Sequence, residues 1–240
     1  MNLAPKISPK AHITKTDAGE HSLLADAVER AFEKALQRKS KLPQEILNLP
    51  GMSGQLYRHF INNLIEDLPD ARYLETGSFT GSTMCSAIFG NDLRAYAIDN
   101  WSEFGDRCSL FLQNISVATN RDVKFNLQTS DFRKVNYSHL NGKFNVYLFD
   151  GPHEEQDQYD GVTIADPAVD DEFVLIVDDY NWDRVREGTL RGIKDMKYET
   201  LLSYEVRTSL DNGHPEVCMH ESEWHNGYYI AVLRKTSAGV

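Results

Sequence analysis

The chain has 240 residues, a formal net charge of −11 and 41% hydrophobic residues, enough for one substantial domain with an accessory segment. The acidity argues against a broad nucleic-acid-binding face, and no apolar run reaches the roughly 18 residues of a membrane span. Three scattered cysteines, Cys85, Cys108 and Cys218, and an N-terminus without the apolar core of a secretory signal point to reduced thiols in a cytoplasmic protein.

Residues 1–20 carry Pro, Lys, Thr and Ser without periodicity and read as a mobile or loosely docked leader. Residues 21–68 read as an N-terminal helical cap segment. Leu24, Val28, Phe32, Ala35 and Leu36 recur at helical spacing over 21–38. Pro43, Pro50 and Gly51 then break the chain, and a second amphipathic helix over 53–68 buries Leu56, Phe60, Leu64 and Ile65. The remaining domain, 69–240, alternates apolar runs with helical intervals. Strands are predicted at 73–75, 95–99, 123–128, 145–150 and 173–178, with helices between them. Near the end, 200–207 and 228–234 are strand-like and joined by a polar loop, which predicts a closing antiparallel pair. The fold class is therefore α/β, with five parallel strands and that pair in one sheet.

The stretch Tyr73-Leu74-Glu75-Thr76-Gly77-Ser78-Phe79-Thr80-Gly81-Ser82-Thr83 is a strand, a glycine turn and a helix start. A glycine turn lets a ligand approach the backbone, and a helix N-terminus favours an anionic group. The next apolar run ends in Asp99, roughly 20 residues on, a position suited to a ribose diol. An ordinary strand-to-helix turn would carry the same glycines. Ligands in such sheets bind outside the carboxyl ends of the strands. Acids stand at those ends throughout: Glu75, Asp99, Asp131, Asp150 and the pair Asp178-Asp179. Asp150, Asp178 and Asp179 come from neighbouring strand ends and cannot all stay close and charged without a cation. Oxygen ligands alone suit Mg²⁺, Mn²⁺ or Ca²⁺. Each acid also fits a helix cap or a solvated strand end, and Asp150-Gly151-Pro152 is a good turn.

Glu75-x-Gly77-x-x-x-Gly81 followed by Asp99 resembles motif I and the next acidic position of class I S-adenosylmethionine-dependent methyltransferases; the Gly-x-Gly-x-x-Gly of nicotinamide sites is absent. Phe149-Asp150-Gly151-Pro152-His153 with Val177-Asp178-Asp179-Tyr180 resembles the metal-dependent O-methyltransferases of the catechol and macrocin types, over about residues 73–182. The resemblance implies a Rossmann-like, seven-stranded methyltransferase sheet. It implies cofactor contacts from Glu75, Gly77, Ser78, Gly81, Asp99, Trp101, Ser130 and Asp131. Trp101 would offer a face to adenine or pack in the core, and Asp131 would meet the adenine amino group or cap a helix. Asp150, Asp178 and Asp179 would hold a divalent cation, Mg²⁺ first. His153 stands where the catechol-type enzymes have lysine and would serve as base beside Asp150.

The expected activity is methyl transfer from S-adenosylmethionine to a hydroxyl of a small molecule, with no nucleic-acid or membrane partner and with room for a homo-oligomer. A cofactor-binding scaffold without turnover and a metal-independent methyltransferase are the rival readings. His214, Cys218, His220 and His225 match no zinc template; they read as a substrate-facing loop or, more simply, an ordinary exposed one. Glu154-Glu155-Gln156-Asp157 reads as a solvated helix face.

Overall fold

The computed structural model describes residues 10–217 and 219–236. Five parallel strands form where the apolar runs predict them: β2 (Arg72–Thr76), β3 (Leu93–Asp99), β4 (Val123–Thr129), β5 (Phe144–Phe149) and β6 (Val169–Asp178). β7 (Tyr198–Arg207) and β8 (Tyr228–Lys235) make the expected antiparallel pair. The sheet has eight strands rather than seven. β1 (His12–Asp17) joins it antiparallel to β7, giving the order β1-β7-β8-β6-β5-β2-β3-β4. The leader expected over 1–20 is thus partly an edge strand; its first nine residues lie outside the described ones. Every residue of β1 is exposed, so its place rests on backbone pairing and on Lys15, which pairs with Glu29.

The helices of 21–68 pack directly on the sheet. α1 (Leu23–Leu36), α3 (Gln55–Asp67), α4 (Ser82–Ile88) and α5 (Cys108–Ala118) share one core with one face of the sheet. Phe32 of α1 stacks on Tyr204 at 4.3 Å and on Trp224 at 5.2 Å, and Tyr57 of α3 stacks on Tyr228 at 4.1 Å. An amphipathic helix has no other way to bury its apolar stripe than against such a surface. Leu56, Phe60, Leu64 and Ile65 are buried as the periodicity requires. Between α1 and α3 lies the short α2 (Gln44–Leu47). The fully buried Arg58 guanidinium donates to the carbonyls of Leu47 and Leu49 and to Ser53 Oγ, which fixes the segment leading into α3.

α6 (Glu155–Ile164) and α7 (Asp183–Asp195) cover the opposite face with a second core. Glu154 and Asp157 form a reciprocal capping box at the start of α6, so part of that acidic run has a structural task. No α-helix fills the β4–β5 interval. Two 3₁₀ turns, Phe132–Lys134 and Tyr137–His139, stand there, because only 14 residues separate Thr129 from Phe144 and Asp131 caps a turn rather than a long helix.

Glu75 shows how tightly the first core closes. It lies fully buried under β2, receives the Tyr73 hydroxyl at 2.6 Å, and its Oε1 has no hydrogen-bond partner of good geometry. Burial pushes its carboxyl from about 4.5 up to about 7, against neighbouring hydroxyls that pull it down. The folded chain then holds a proton that the unfolded chain has already released, so stability falls as pH rises from about 4.5 to about 7 and stays low above. Glu75→Gln should remove that loss. Denaturant unfolding of the two cofactor-free proteins should show the variant gaining on the parent by up to roughly 3 kcal/mol at pH 8 over its standing at pH 4.5. An unchanged difference between the two pH values would show that Glu75 does not carry this proton.

Candidate active site

The parallel strands end together on one rim, and a single cavity of about 380 Å³ opens along it. That size falls within the roughly 300–1,000 Å³ of small-molecule sites. One end is built by the β2–α4 loop and the end of β3, with Gly77, Phe79, Asp99 and Trp101. The other holds Asp150, His153, Asp178 and Asp179. Five non-glycine residues with left-handed φ line it, Phe79, Trp101, Asp179, Met219 and His225. Such strain persists only where surrounding contacts impose it, and it gathers at ligand sites.

Asp99 organises the first end. Its Oδ2 accepts the backbone N–H groups of Ser78 and Phe79 at 2.7 and 2.8 Å, and its Oδ1 accepts that of Trp101 at 2.7 Å. Trp101 Nε1–H returns to the Phe79 carbonyl at 2.7 Å. The loop after β2 and the loop after β3 are therefore tied into one cradle. Gly77, at φ +83°, brings that cradle against β5; a Cβ there would sit 1.7 Å from the Asp150 carbonyl. Gly81, at φ +85°, caps α4 and leaves no room for a Cβ beside the Phe111 ring. Trp101 does both things its sequence position allows: it packs 5.6 Å from Phe111 and still borders the cavity.

The other predicted cofactor residues divide. Ser130 and Asp131 line the cavity, and Asp131 also caps the 3₁₀ turn by accepting the Arg133 N–H at 3.0 Å. Glu75, Ser78 and Gly81 do not line it; they lie behind the cradle, Glu75 and Ser78 buried. Phe104, edge-on to Phe79 at 5.4 Å, and Met52 add apolar walls that carry no distinguishing mark in the sequence.

At the second end His153 Nε2 lies 3.0 Å from Asp179 Oδ2 and 3.6 Å from Asp150 Oδ1. Desolvation lowers the imidazole, but the two carboxylates outweigh it and hold His153 up to about 10. In this arrangement it keeps its proton at neutral pH. It becomes a proton acceptor only where another charge offsets Asp150 and Asp179. Burial raises Asp150 to about 6 and Asp178 well above the ordinary carboxylate range. Burial works the same way on Asp179, but the His153 imidazole beside it outweighs burial and holds that carboxyl below the ordinary carboxylate range. Asp178 Oδ1 accepts the Asp179 N–H at 2.7 Å, while buried Asp179 Oδ1 has no hydrogen-bond partner.

Asp178, Asp179 and His225 place donor atoms within 4.8 Å of one another. An unpartnered carboxylate oxygen beside acids that cannot all ionise is the environment a divalent cation satisfies, so the oxygen donors fit such an ion. The β7–β8 loop supplies what the sequence did not assign. β8 runs against β6, with Asp178 opposite Tyr228, so the residues just before β8 land on the rim. His225 arrives there buried, with His214 beside it 5.3 Å between rings and Trp182 lying between His153 and His214. An Asn-Gly pair immediately before a strand antiparallel to β6 was the available signal. Cys218 lies outside the described residues, and His220 does not line the cavity.

No family model matches the chain, and no curated protein does. Solved structures share the fold. Cofactor-bound Rv0187 from MTB aligns with a TM-score of 0.55 at 15% identity, over 91% of this chain and 93% of that one. The SAH-bound methyltransferase PaMTH1 of Podospora anserina aligns at 0.52 and 12%, over 88% of each. An O-methyltransferase from Bacillus cereus in complex with SAH aligns at 0.50 and 13%, over 90% and 93%. The chain spans about half the length of two other solved structures it aligns with, 53% and 49%. The chain has the Rossmann-like fold of S-adenosylmethionine-dependent methyltransferases.

Proposed function

We propose that the protein is an S-adenosylmethionine-dependent O-methyltransferase acting on a hydroxyl of a small molecule, with help from a divalent cation. The observation that carries this reading is the single cavity joining the Asp99 cradle to the Asp150, His153, Asp178 and Asp179 cluster. A methyl donor at one end and an acceptor hydroxyl at the other would meet within one enclosed space. The O-methyltransferase structure of the same fold supports the class. Among the described residues no helix is long and apolar enough to cross a membrane, and Cys85 and Cys108 are unpaired. Both agree with the reading of a small-molecule enzyme of the cytoplasm.

Asp99 would receive a ribose hydroxyl on the one lone-pair site its three backbone donors leave free, with Phe79 and Trp101 walling the adenosine side. Asp150, Asp178 and Asp179 would hold the cation, which when bound supplies a Lewis acid for the acceptor oxygen and offsets the three carboxylates. His153 would then accept the hydroxyl proton at Nε2. Trp182 and His214 would border the acceptor, and in-line attack needs only that the two ligands be held in register. The pincer of Asp150 and Asp179 on His153 also favours a second reading, in which the imidazolium itself serves as the site's cation and no metal takes part.

Two measurements test these assignments. S-adenosylhomocysteine should bind the parent in calorimetry, and Asp99→Ala should weaken it roughly 10- to 150-fold, the cost of about 1.5–3 kcal/mol for lost charged hydrogen bonds. Equal affinity in a cooperatively melting variant rejects the cradle as the cofactor site.

S-adenosylhomocysteine release should be followed across a panel of vicinal diols, catechols and sugars. Chelator should abolish release and Mg²⁺ or Mn²⁺ restore it. His153→Ala should lower turnover by about 10²–10⁴ while leaving cofactor affinity intact. Chelator-resistant turnover decides for the metal-free reading.

A further inference from the structure

We infer that His225 is not a ligand of the proposed cation but the N–H donor that orients Asp179, with Asn226 as its companion. The inference rests on the acceptor-end reading above and concerns residues of the β7–β8 loop.

The backbone N–H of Met219 donates to His225 Nδ1 at 2.9 Å. A backbone amide can only donate, so Nδ1 carries a lone pair. An imidazole with a bare Nδ1 carries its one proton on Nε2. His225 is buried, so its ring nitrogens answer to these neighbours rather than to bulk water. Nε2 stands 3.8 Å from Asp179 Oδ1, the carboxylate oxygen that has no hydrogen-bond partner. A nitrogen that bears a proton offers no lone pair to a metal. The same nitrogen turned toward a carboxylate is the outer partner that fixes a ligand's orientation.

Asn226 is held for the same task. Its Oδ1 accepts Asn181 Nδ2–H at 2.9 Å, which settles which end of the amide is the oxygen. Its Nδ2 is buried, has no other partner, and lies near enough to Asp179 to help hold that carboxyl ionised. Asn181 is itself buried and anchors the loop by accepting the Thr208 N–H at 2.9 Å. Thr208 Oγ1–H in turn donates to the His225 carbonyl at 2.9 Å. The loop is thus pinned so that two N–H donors face one aspartate whose backbone sits at φ +58°, a conformation that needs outside support.

Two substitutions separate orientation of Asp179 from anchoring of the loop. In His225→Gln the amide nitrogen can reach the place of Nε2–H and the acceptor at Nδ1 is lost. In His225→Asn the amide oxygen can take the place of Nδ1 and the donor toward Asp179 is lost. Nitrogen-15 spectra of histidine-labelled, cofactor-free protein should show His225 as the neutral Nε2–H tautomer; an Nδ1–H tautomer overturns the inference. Mn²⁺ titrations followed by electron paramagnetic resonance should show affinity retained in His225→Gln and lowered about 10- to 100-fold in His225→Asn. Retained affinity in His225→Asn with loss in His225→Gln overturns it. S-adenosylhomocysteine affinity should stay unchanged in both. If the parent binds no Mn²⁺, the cation of the preceding reading fails, and the nitrogen spectrum alone decides the role of His225.

Discussion

Three carboxyl groups crowd the ends of two neighbouring strands, and that end of the cavity is organised around keeping them there. β5 and β6 are parallel and in register, with Phe149 opposite Val177, so Asp150 and Asp178 have to emerge side by side. Like charges in a desolvated place cannot all persist. The structure divides the burden: burial pushes the Asp178 carboxyl up, the His153 imidazole pulls that of Asp179 down, and His153 lies between Asp150 and Asp179. Each of these choices depends on another element. His153 is placed by the turn into α6, which the Glu154–Asp157 capping box starts. Asp179 is placed by its own left-handed backbone between β6 and the turn into α7, and by the loop that leads into the neighbouring strand β8.

The sheet was legible because its inner strands β2, β5, β6 and β8 are mostly buried and so announce themselves as apolar runs, while β4, with no buried residue, shows itself by the alternation of Val123, Phe125 and Leu127. β1 was not, since His12-Ile13-Thr14-Lys15-Thr16-Asp17 buries nothing and carries only one large apolar side chain. Edge pairing of that kind uses backbone groups, which leave no mark on composition. The helices of 21–68 were found by period, but period says only that a face is buried, not against what. Their aromatic partners Tyr204, Trp224 and Tyr228 come from the end of the chain.

The candidate site was legible in the same measure. Acids at strand ends are visible because topology carries every parallel strand to one rim. Asp99, Gly77, Asp150, His153, Asp178 and Asp179 line the cavity for that reason. Glu75 shows the limit. It stands one residue before the strand end, so the alternation of side chains turns it into the core behind the cradle rather than onto the rim. The titration of His153 was unreadable for a different reason. An isolated histidine switches near neutrality, but one held between two carboxylates does not, and the second of those carboxylates comes from 26 residues further on.

The cradle and the acid cluster solve opposite problems. The cradle binds its one carboxylate, Asp99, with three backbone N–H groups that are in place before any ligand arrives. Those bonds already fix Phe79 and Trp101 in strained conformations, so a ligand docking there has little loop ordering left to oppose it. The acid cluster has surplus negative charge and too few donors, as the bare oxygen on Asp179 records. Along one rim the cavity thus joins a carboxylate already held by backbone donors to a cluster of acids that the His153 imidazole bridges.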